Sequence, residues 1–160
     1  MKIESLVNEC LIQHEGGEKF FDAIDERLRN DNLLMSMMIT KIIEKESFDY
    51  LIVSGRFGYA FKEFCKENIN DEFSNEIIAV NGNLRKNNIS YNLDFNIKDK
   101  NFIFIDDSFY LGRTRNKIKD FIESNNGNLI CTYVFYDGSK EKDNSVHSFY
   151  RYYDNFKSDF

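Results

Sequence analysis

The sequence predicts an α/β protein with a mostly parallel central sheet and flanking helices, preceded by a helical segment and carrying a hairpin insertion. Short apolar runs alternate with stretches of amphipathic helical spacing, and each run ends in a loop that contains glycine or acidic residues. With 42% hydrophobic residues, including 16 Phe, a chain of 160 residues can bury one core. We therefore expect a single domain over residues 1–160, made of a helical N-terminal segment (1–47), a core (48–138) and an aromatic C-terminal segment (139–160).

The N-terminal segment has the apolar spacing of helices. A first helical face covers residues 3–11, and Gly16 and Gly17 interrupt it. The spacing resumes over residues 20–28, and a third apolar-rich stretch follows over residues 33–43. Three helices are therefore predicted before the first strand.

From residue 50 onward, the pattern is that of buried strands joined by helices. Four short apolar runs predict strands, and two amphipathic stretches predict helices between them. The strands cover residues 50–53, 76–80, 102–105 and 129–135, the helices cover 57–68 and 112–124, and strict alternation over 89–97 predicts part of a hairpin. Ligands of parallel sheets bind beyond the carboxyl ends of the strands, so the polar loops are expected to converge on one edge. These loops cover residues 54–58, 81–88, 106–114 and 136–139.

Charge and composition argue against several classes of function. The net charge of −6 and the pI of about 5.0 disfavour a nucleic-acid-binding surface, which normally carries a basic patch. No segment approaches membrane-spanning length, and the N-terminus lacks the apolar run of a signal peptide. We therefore expect a cytoplasmic protein that binds neither nucleic acid nor membrane.

The cysteines and histidines do not have the spacing of a metal site. Cys10, Cys65 and Cys131 are far apart and odd in number, without a CxxC motif or a Cys/His pattern. This spacing suggests neither a zinc site nor a disulfide framework. His14 and His147 each stand alone in the sequence, and neither is expected to be a catalyst or a ligand.

Two adjacent acids and a glycine-containing helix start follow the third predicted strand. Asp106 and Asp107 come directly after four apolar residues, and paired carboxylates at a strand end can hold sugar hydroxyls or a hydrated Mg²⁺. Gly112 and Thr114 open the next helix, where free N–H groups and the helix dipole favour a phosphate. This is the pattern of a site for a phosphorylated sugar. The alternative is that one acid caps the helix and the other is solvated.

Basic residues occupy alternate positions of that helix, at Arg113, Arg115, Lys117 and Lys119. Spacing by two does not build one helix face. Most of this run is therefore expected to be a solvated helix start.

Residues 102–114 resemble the phosphoribosyl pyrophosphate (PRPP) motif of type I phosphoribosyltransferases: four apolar residues, two acids, a short loop and Gly-x-Thr. The resemblance implies a phosphoribosyltransferase-like fold, in which Asp106 and Asp107 are the catalytic residues and hold the ribose 2′- and 3′-hydroxyls. Mg²⁺ would be bound with the substrate, and these two acids are the candidates for touching it. The 5′-phosphate would be bound by Tyr110, Leu111, Gly112, Arg113 and Thr114.

A second segment, residues 51–62, looks like the pyrophosphate loop of the purine-salvage members of the family. The resemblance implies pyrophosphate binding by Gly55, Arg56, Phe57 and Gly58, and by Arg85 and Lys86 of a loop that closes over PRPP. For the last two residues, a solvated hairpin tip is an equal alternative.

Three positions depart from the family pattern. Phe57 replaces the first Gly of the pyrophosphate loop, and Leu111 stands where many members have Thr or Ser. Tyr110 stands where the 6-oxopurine enzymes have an acid, which argues against a standard hypoxanthine-guanine enzyme. Tyr110 or Phe109 is then either a core residue or a stacking surface for a planar group.

The leading hypothesis is an enzyme that transfers the 5-phosphoribosyl group of PRPP to or from a nitrogenous base, with Mg-pyrophosphate. The alternative is a non-catalytic relative that senses or sequesters PRPP or a nucleotide. A phosphoacceptor or phosphatase domain fits less well, since Asp106-Asp107-Ser108 is not the Asp-x-Asp pattern of haloacid-dehalogenase-type phosphatases. A homodimer is expected as well.

The aromatic residues near the C-terminus are expected to pack against the sheet or a partner chain, because together they would form an apolar patch. They are Phe149, Tyr150, Tyr152, Tyr153, Phe156 and Phe160.

Overall fold

Helices lie on either side of a central sheet in this computed structural model, which describes Ser5, Asn8, Glu9 and residues 18–80 and 96–154. The helices are α1 (Glu18–Arg29), α2 (Asn32–Lys45), α3 (Gly55–Asn68), α4 (Asp71–Asn75) and α5 (Arg113–Ser124). The strands are β1 (Tyr50–Ser54), β2 (Ile77–Val80), β3 (Asn101–Phe109), β4 (Asn128–Asp137) and β5 (Val146–Arg151), followed by a 3₁₀ turn at Tyr152–Asp154. No helix in the described part of the chain is both long and apolar enough to span a membrane.

The five strands form one parallel sheet in the order β2-β1-β3-β4-β5. The predicted α/β fold with a parallel sheet is therefore confirmed. Between α1 and α2, Asp31 caps the second helix, because its side chain accepts a hydrogen bond from the Leu34 N–H at 3.1 Å. β1 and residues 102–105 of β3 are nearly continuous apolar runs because helices cover both faces of the sheet.

Two apolar clusters cover the two faces. On one face, α1, α2 and α3 pack on the alternate residues Ile103 and Ile105 of β3. On the other face, Phe102 and Phe104 pack with Ile118 and Ile122 of α5. The strand period of two thus divides β3 between both clusters.

Two predicted boundaries move, and one strand was not predicted. β3 continues through Asp106 and Asp107 to Phe109, because its backbone keeps pairing with β4 after the apolar run has ended. α3 begins at Gly55, so most of the predicted loop 54–58 is its first turn. β5 was missed because its polar and apolar residues, Val146–Arg151, follow no strict alternation, although most of them are buried.

Some predictions fall outside the described residues. These are the first helical face, most of the hairpin with Arg85 and Lys86, Cys10, His14, Phe156 and Phe160. Ile97, the last residue of the predicted hairpin strand, is buried in a loop rather than in a strand. Phe149 and Tyr150 are buried in β5, as expected, whereas Tyr152 and Tyr153 are about half exposed.

The packing of α3 on the sheet gives a test of the fold. Phe61 is fully buried, and its ring lies 6.0 Å from that of Phe57. Phe61→Ala is expected to lower the free energy of unfolding by about 3–5 kcal/mol, because a large cavity is left in the core. Tyr59→Ala on the same helix is the matched control, since Tyr59 is exposed, and its effect is expected to stay within about 0.5 kcal/mol. Equal effects in urea unfolding would contradict this packing.

Candidate functional site

The end of β3 and the start of α5 line a partly open cavity of about 320 Å³. Its position follows from the pairing of β3 with β4, in which Asp106 lies beside Val134 and Ser108 beside Tyr136. The lining residues are Phe104, Val134 and the continuous segment from Asp106 to Arg115. The acids and the helix start that the sequence singled out therefore line one cavity.

The two acids are half-buried and hydrogen-bonded to each other. The Asp107 N–H donates to Asp106 Oδ1 at 2.9 Å, and Ser108 Oγ donates to Asp107 Oδ1 at 3.2 Å. Burial raises the pKa of Asp106 well above its ordinary value, and the neighbouring Asp107 charge adds to the shift. Burial also raises the pKa of Asp107, to about 6, although a hydrogen bond from Asp106 opposes the shift. Both shifts have the same main cause, because burial disfavours the charged form of each carboxyl group.

The start of α5 presents backbone donors to the same cavity. Gly112 precedes the helix in the left-handed region, at φ 68°, and provides no side-chain cap. A Cβ at this position would come within 3.1 Å of the Phe109 ring, so the turn itself requires glycine. The first-turn N–H groups lack intrahelical partners and carry the positive end of the helix dipole. Thr114 adds a hydroxyl, so this corner of the cavity has the donors that an anion needs.

Arg115 is a lining residue that the sequence did not distinguish from its basic neighbours. Its guanidinium pairs with Asp143, donates to Ser145 Oγ at 3.0 Å and lies 5.3 Å from the centre of the Phe109 ring. Ser145 and Arg115 hydrogen bonds lower the pKa of Asp143 to about 2, against the effect of burial. The expectation of a solvated residue is wrong for Arg115, because these contacts hold it against the loop that follows β4.

The junction of β1 and α3 has a similar geometry. Gly55 opens the helix at φ 67°, and Ser54 makes no side-chain cap. Phe57 points into the core, with its ring 5.7 Å from that of Phe135, so its side chain does not fill the junction. At Gly58, an added Cβ would come within 3.0 Å of Val53, so this glycine lets α3 pack closely on β1. The Arg56 side chain is 68% exposed.

Two acids of α1 contact Arg56 at this junction, and one of them, Asp25, also acts on the carboxyl pair. Arg56 lies 3.7 Å from Asp22 Oδ1 and 3.5 Å from Asp25 Oδ2. Asp25 is buried and also pairs with Arg29 at 3.1 Å. Its charge helps to raise the pKa values of both cavity acids. Sequence reasoning missed Asp25 because nothing in the spacing of α1 marks it.

The structure thus brings together some of the predicted site residues and leaves others apart. Asp106, Asp107 and residues 110–114 line one cavity. The segment Gly55–Gly58 is not part of that lining, and Asp25 connects the two places. Arg85 and Lys86 lie outside the described residues.

The comparisons with known proteins concern the fold. No family model and no curated protein matches the chain. UMP synthase of Leishmania donovani matches with a TM-score of 0.52 and 10% identity, over 90% of this chain and 29% of that one. Over the matched residues, the chain shares the fold of this UMP synthase.

Further solved structures are similar at the same low identity. A hypoxanthine-guanine phosphoribosyltransferase of Bacillus anthracis matches with a TM-score of 0.48 and 16% identity, over 79% of both chains. A purine phosphoribosyltransferase of Pyrococcus horikoshii matches with a TM-score of 0.49 and 14% identity, over 73% of this chain and 78% of that one. At such identities, the likeness concerns the fold alone.

The raised pKa values of the carboxyl pair predict how stability depends on pH. The folded protein holds a proton that the unfolded chain releases above about pH 4. Protonation of the pair therefore stabilises the fold. This stabilisation is complete below the pKa of the unfolded chain and is lost as the pH rises through the pKa values of the folded protein. These values are about 6 for Asp107 and well above the ordinary aspartate pKa for Asp106. Asp106→Asn keeps a neutral side chain throughout, so it is expected to gain stability relative to the wild type between pH 4 and pH 8. Urea unfolding at several pH values measures this.

Asp143→Asn is the control of opposite sign. The pKa of Asp143 is lowered to about 2, so Asp143 stabilises the fold above the unfolded pKa and loses this effect as the pH falls toward 2. Its replacement is expected to cost on the order of 1 kcal/mol at pH 7, because the group is partly exposed, and less at low pH. Parallel stability curves for the wild type and Asp106→Asn would contradict the raised pKa values.

Proposed function

We propose that the protein is a phosphoribosyltransferase-type enzyme that transfers a 5-phosphoribosyl group between PRPP and a nitrogenous base, with Mg-pyrophosphate. The observation that carries this proposal is the single cavity that joins the two acids of β3 to the uncapped start of α5. A site for a phosphorylated sugar needs hydrogen-bond acceptors for the sugar hydroxyls and hydrogen-bond donors for the phosphate, at a fixed separation. One short segment, residues 106–114, supplies both.

Each part of the cavity then has a role. Asp106 and Asp107 accept hydrogen bonds from the ribose hydroxyls, and their hydrogen bonds to each other and to Ser108 fix their orientation. The N–H groups of the first turn of α5 and the Thr114 hydroxyl donate to the 5′-phosphate. The N–H groups at the start of α3, with Arg56, face the leaving pyrophosphate. Orientation and electrostatic stabilisation of the leaving group are the terms that such a displacement needs.

The donor set also fits Mg²⁺. This ion prefers oxygen ligands and is usually held by one or two carboxylates together with substrate phosphates. Asp106 and Asp107 are the carboxylates of the cavity lining. Bound Mg²⁺ would neutralise charge on the pyrophosphate.

A second candidate function is binding of PRPP or a nucleotide without turnover. Leu111, which follows the acids in the phosphate loop, is 63% exposed and offers no hydroxyl. Arg56 is engaged by Asp22 and Asp25 rather than directed at the cavity. Leu111 and the ion pairs of Arg56 affect the groups that would bind the phosphate and the leaving pyrophosphate. They do not affect Asp106 and Asp107, so ribose binding without turnover is consistent with both features.

Binding is tested by calorimetric titration of PRPP with Mg²⁺ into the purified chain. The double variant Asp106→Asn, Asp107→Asn is expected to lose binding, because an amide oxygen is a weaker hydrogen-bond acceptor than a carboxylate and each amide has one acceptor oxygen instead of two. Asp120→Asn is the matched control, since Asp120 is an exposed acid of α5, and it is expected to bind as the wild type does. Unchanged binding by the double variant would refute the assignment of the acids.

Turnover separates the two candidate functions. The enzyme is expected to release pyrophosphate from PRPP when the correct base of a panel is added, and Arg56→Met is expected to lower the rate more than it weakens ribose 5-phosphate binding. Tight binding of PRPP without pyrophosphate release on any base favours the binding protein.

A homodimer, a cytoplasmic location and one domain over residues 1–160 stay predictions from the sequence.

A further inference from the structure

Three side chains with metal-binding atoms meet outside the cavity described above. A carboxylate oxygen of Glu46, Sγ of Cys131 and an imidazole nitrogen of His147 all lie within 4.8 Å of one another. Among the residues that the structure describes, this is the one group of three or more such side chains at this spacing. It mixes sulfur, nitrogen and oxygen donors, so it is not a cluster of acids alone.

The fold brings these residues together from three elements. Glu46 is the C-cap residue that follows α2, Cys131 lies on β4, and His147 is the second residue of β5. In the β4–β5 pairing, Tyr133 lies beside His147, and their ring centres are 4.9 Å apart. Cys131 is two residues before Tyr133 and therefore on the same face of the sheet. The end of α2 thus lies over the point where β5 joins the sheet.

A hydrogen bond already orients one of the three donors. Tyr133 Oη donates to Glu46 Oε1 at 2.8 Å, and Tyr133 is almost completely buried. Metal-binding side chains in proteins are commonly held by such outer contacts, which fix the direction of the donor atom. Cys131 is 5% exposed, whereas Glu46 and His147 are half-buried, so an ion has a route to the group.

The electrostatics of the group favour a cation. A divalent cation among the three donors would compensate the Glu46 charge. It would also displace the thiol proton, as metal binding to cysteine generally does.

We propose that Glu46, Cys131 and His147 form a Zn²⁺ site with an open fourth position. Thiolate and imidazole donors select Zn²⁺ over Mg²⁺ and Ca²⁺, which prefer oxygen. Ligands at about 2.0–2.3 Å from Zn²⁺ lie roughly 3.5 Å from each other in tetrahedral geometry, so a small closure of the three side chains suffices. The Cys131 proton passes to the solvent as the S–Zn bond forms. The ion would tie the end of α2 to β4 and β5. The site is separate from the cavity between β3 and α5, called the phosphoribosyl cavity below.

The test uses the full chain after chelator treatment, titrated with Co²⁺ as a spectroscopic probe and then with Zn²⁺. One Co²⁺ per chain is expected to bind with a thiolate-to-cobalt charge-transfer band in the near ultraviolet. Co²⁺ binding is expected to release one proton per chain and to raise the melting temperature. Zn²⁺ is then expected to displace Co²⁺ and remove the band with no further release of protons. Cys131→Ser and His147→Gln are expected to abolish these effects. Tyr133→Phe keeps all three ligands and is expected to weaken Zn²⁺ binding by about 10–100-fold.

Matched controls locate the signal. Cys65→Ser removes the other described cysteine, which is buried in α3, and Asp106→Asn changes the phosphoribosyl cavity. Both variants are expected to keep the charge-transfer band, provided that circular dichroism shows a native fold. Absence of the band in the wild type, or its persistence in Cys131→Ser, would overturn the proposal and leave a metal-free hydrogen-bonded network.

Discussion

The pairing of β3 with β4 beyond Ile105 is the constraint on which the candidate site depends. The apolar run ends there, yet the two strands stay in register through Phe109 and Asp137, and the Gly138 N–H donates to the Phe109 carbonyl at 2.9 Å. Two acids are therefore held by a sheet backbone rather than by a loop. A strand fixes the positions of their side chains more closely than a loop would, which is what an orienting site requires.

The same constraint has an electrostatic cost. The sheet holds Asp106 and Asp107 half-buried beside each other, and Asp25 adds a third negative charge from α1. Burial of charge without a partner is unfavourable, and the raised pKa values are its consequence. The uncapped start of α5 lines the same cavity and carries the positive end of a helix dipole. The site therefore combines acceptors and donors that a ligand with both hydroxyl and phosphate groups would satisfy together.

The sequence predicted the layout of the sheet but not the contacts between distant segments. Buried parallel strands have continuous apolar runs, and β1, β2, β3 and β4 were recognised for that reason. The extension of β3 through two acids was not, because its cause is pairing with β4, which lies beyond a helix in the chain. β5 was missed because tertiary contacts rather than alternation determine its burial.

In the candidate site, too, local patterns were predicted from the sequence and contacts between distant segments were not. Asp106, Asp107 and the 110–114 segment are contiguous, so a local motif predicted that they line one cavity. Arg115 and Asp25 depend on partners far away in the sequence, at Asp143 and Arg56, and no local pattern marks either pair. The group of Glu46, Cys131 and His147 is the extreme case, because its members come from three separate elements.

The position of Arg56 links α1 to the candidate site in a way that the fold alone does not require. Arg56 is largely exposed and lies 3.5–3.7 Å from two carboxylates, so each of these ion pairs contributes about 0–1 kcal/mol at most. Release of Arg56 toward an anion therefore costs little free energy. Asp25 keeps Arg29 as a partner when Arg56 leaves, so no buried carboxylate is left unpaired. Arg56 thus pairs weakly with Asp25, and the charge of Asp25 raises the pKa values of Asp106 and Asp107. Electrostatic interactions therefore couple the start of α3 to the carboxyl pair without any change in the packing of the sheet.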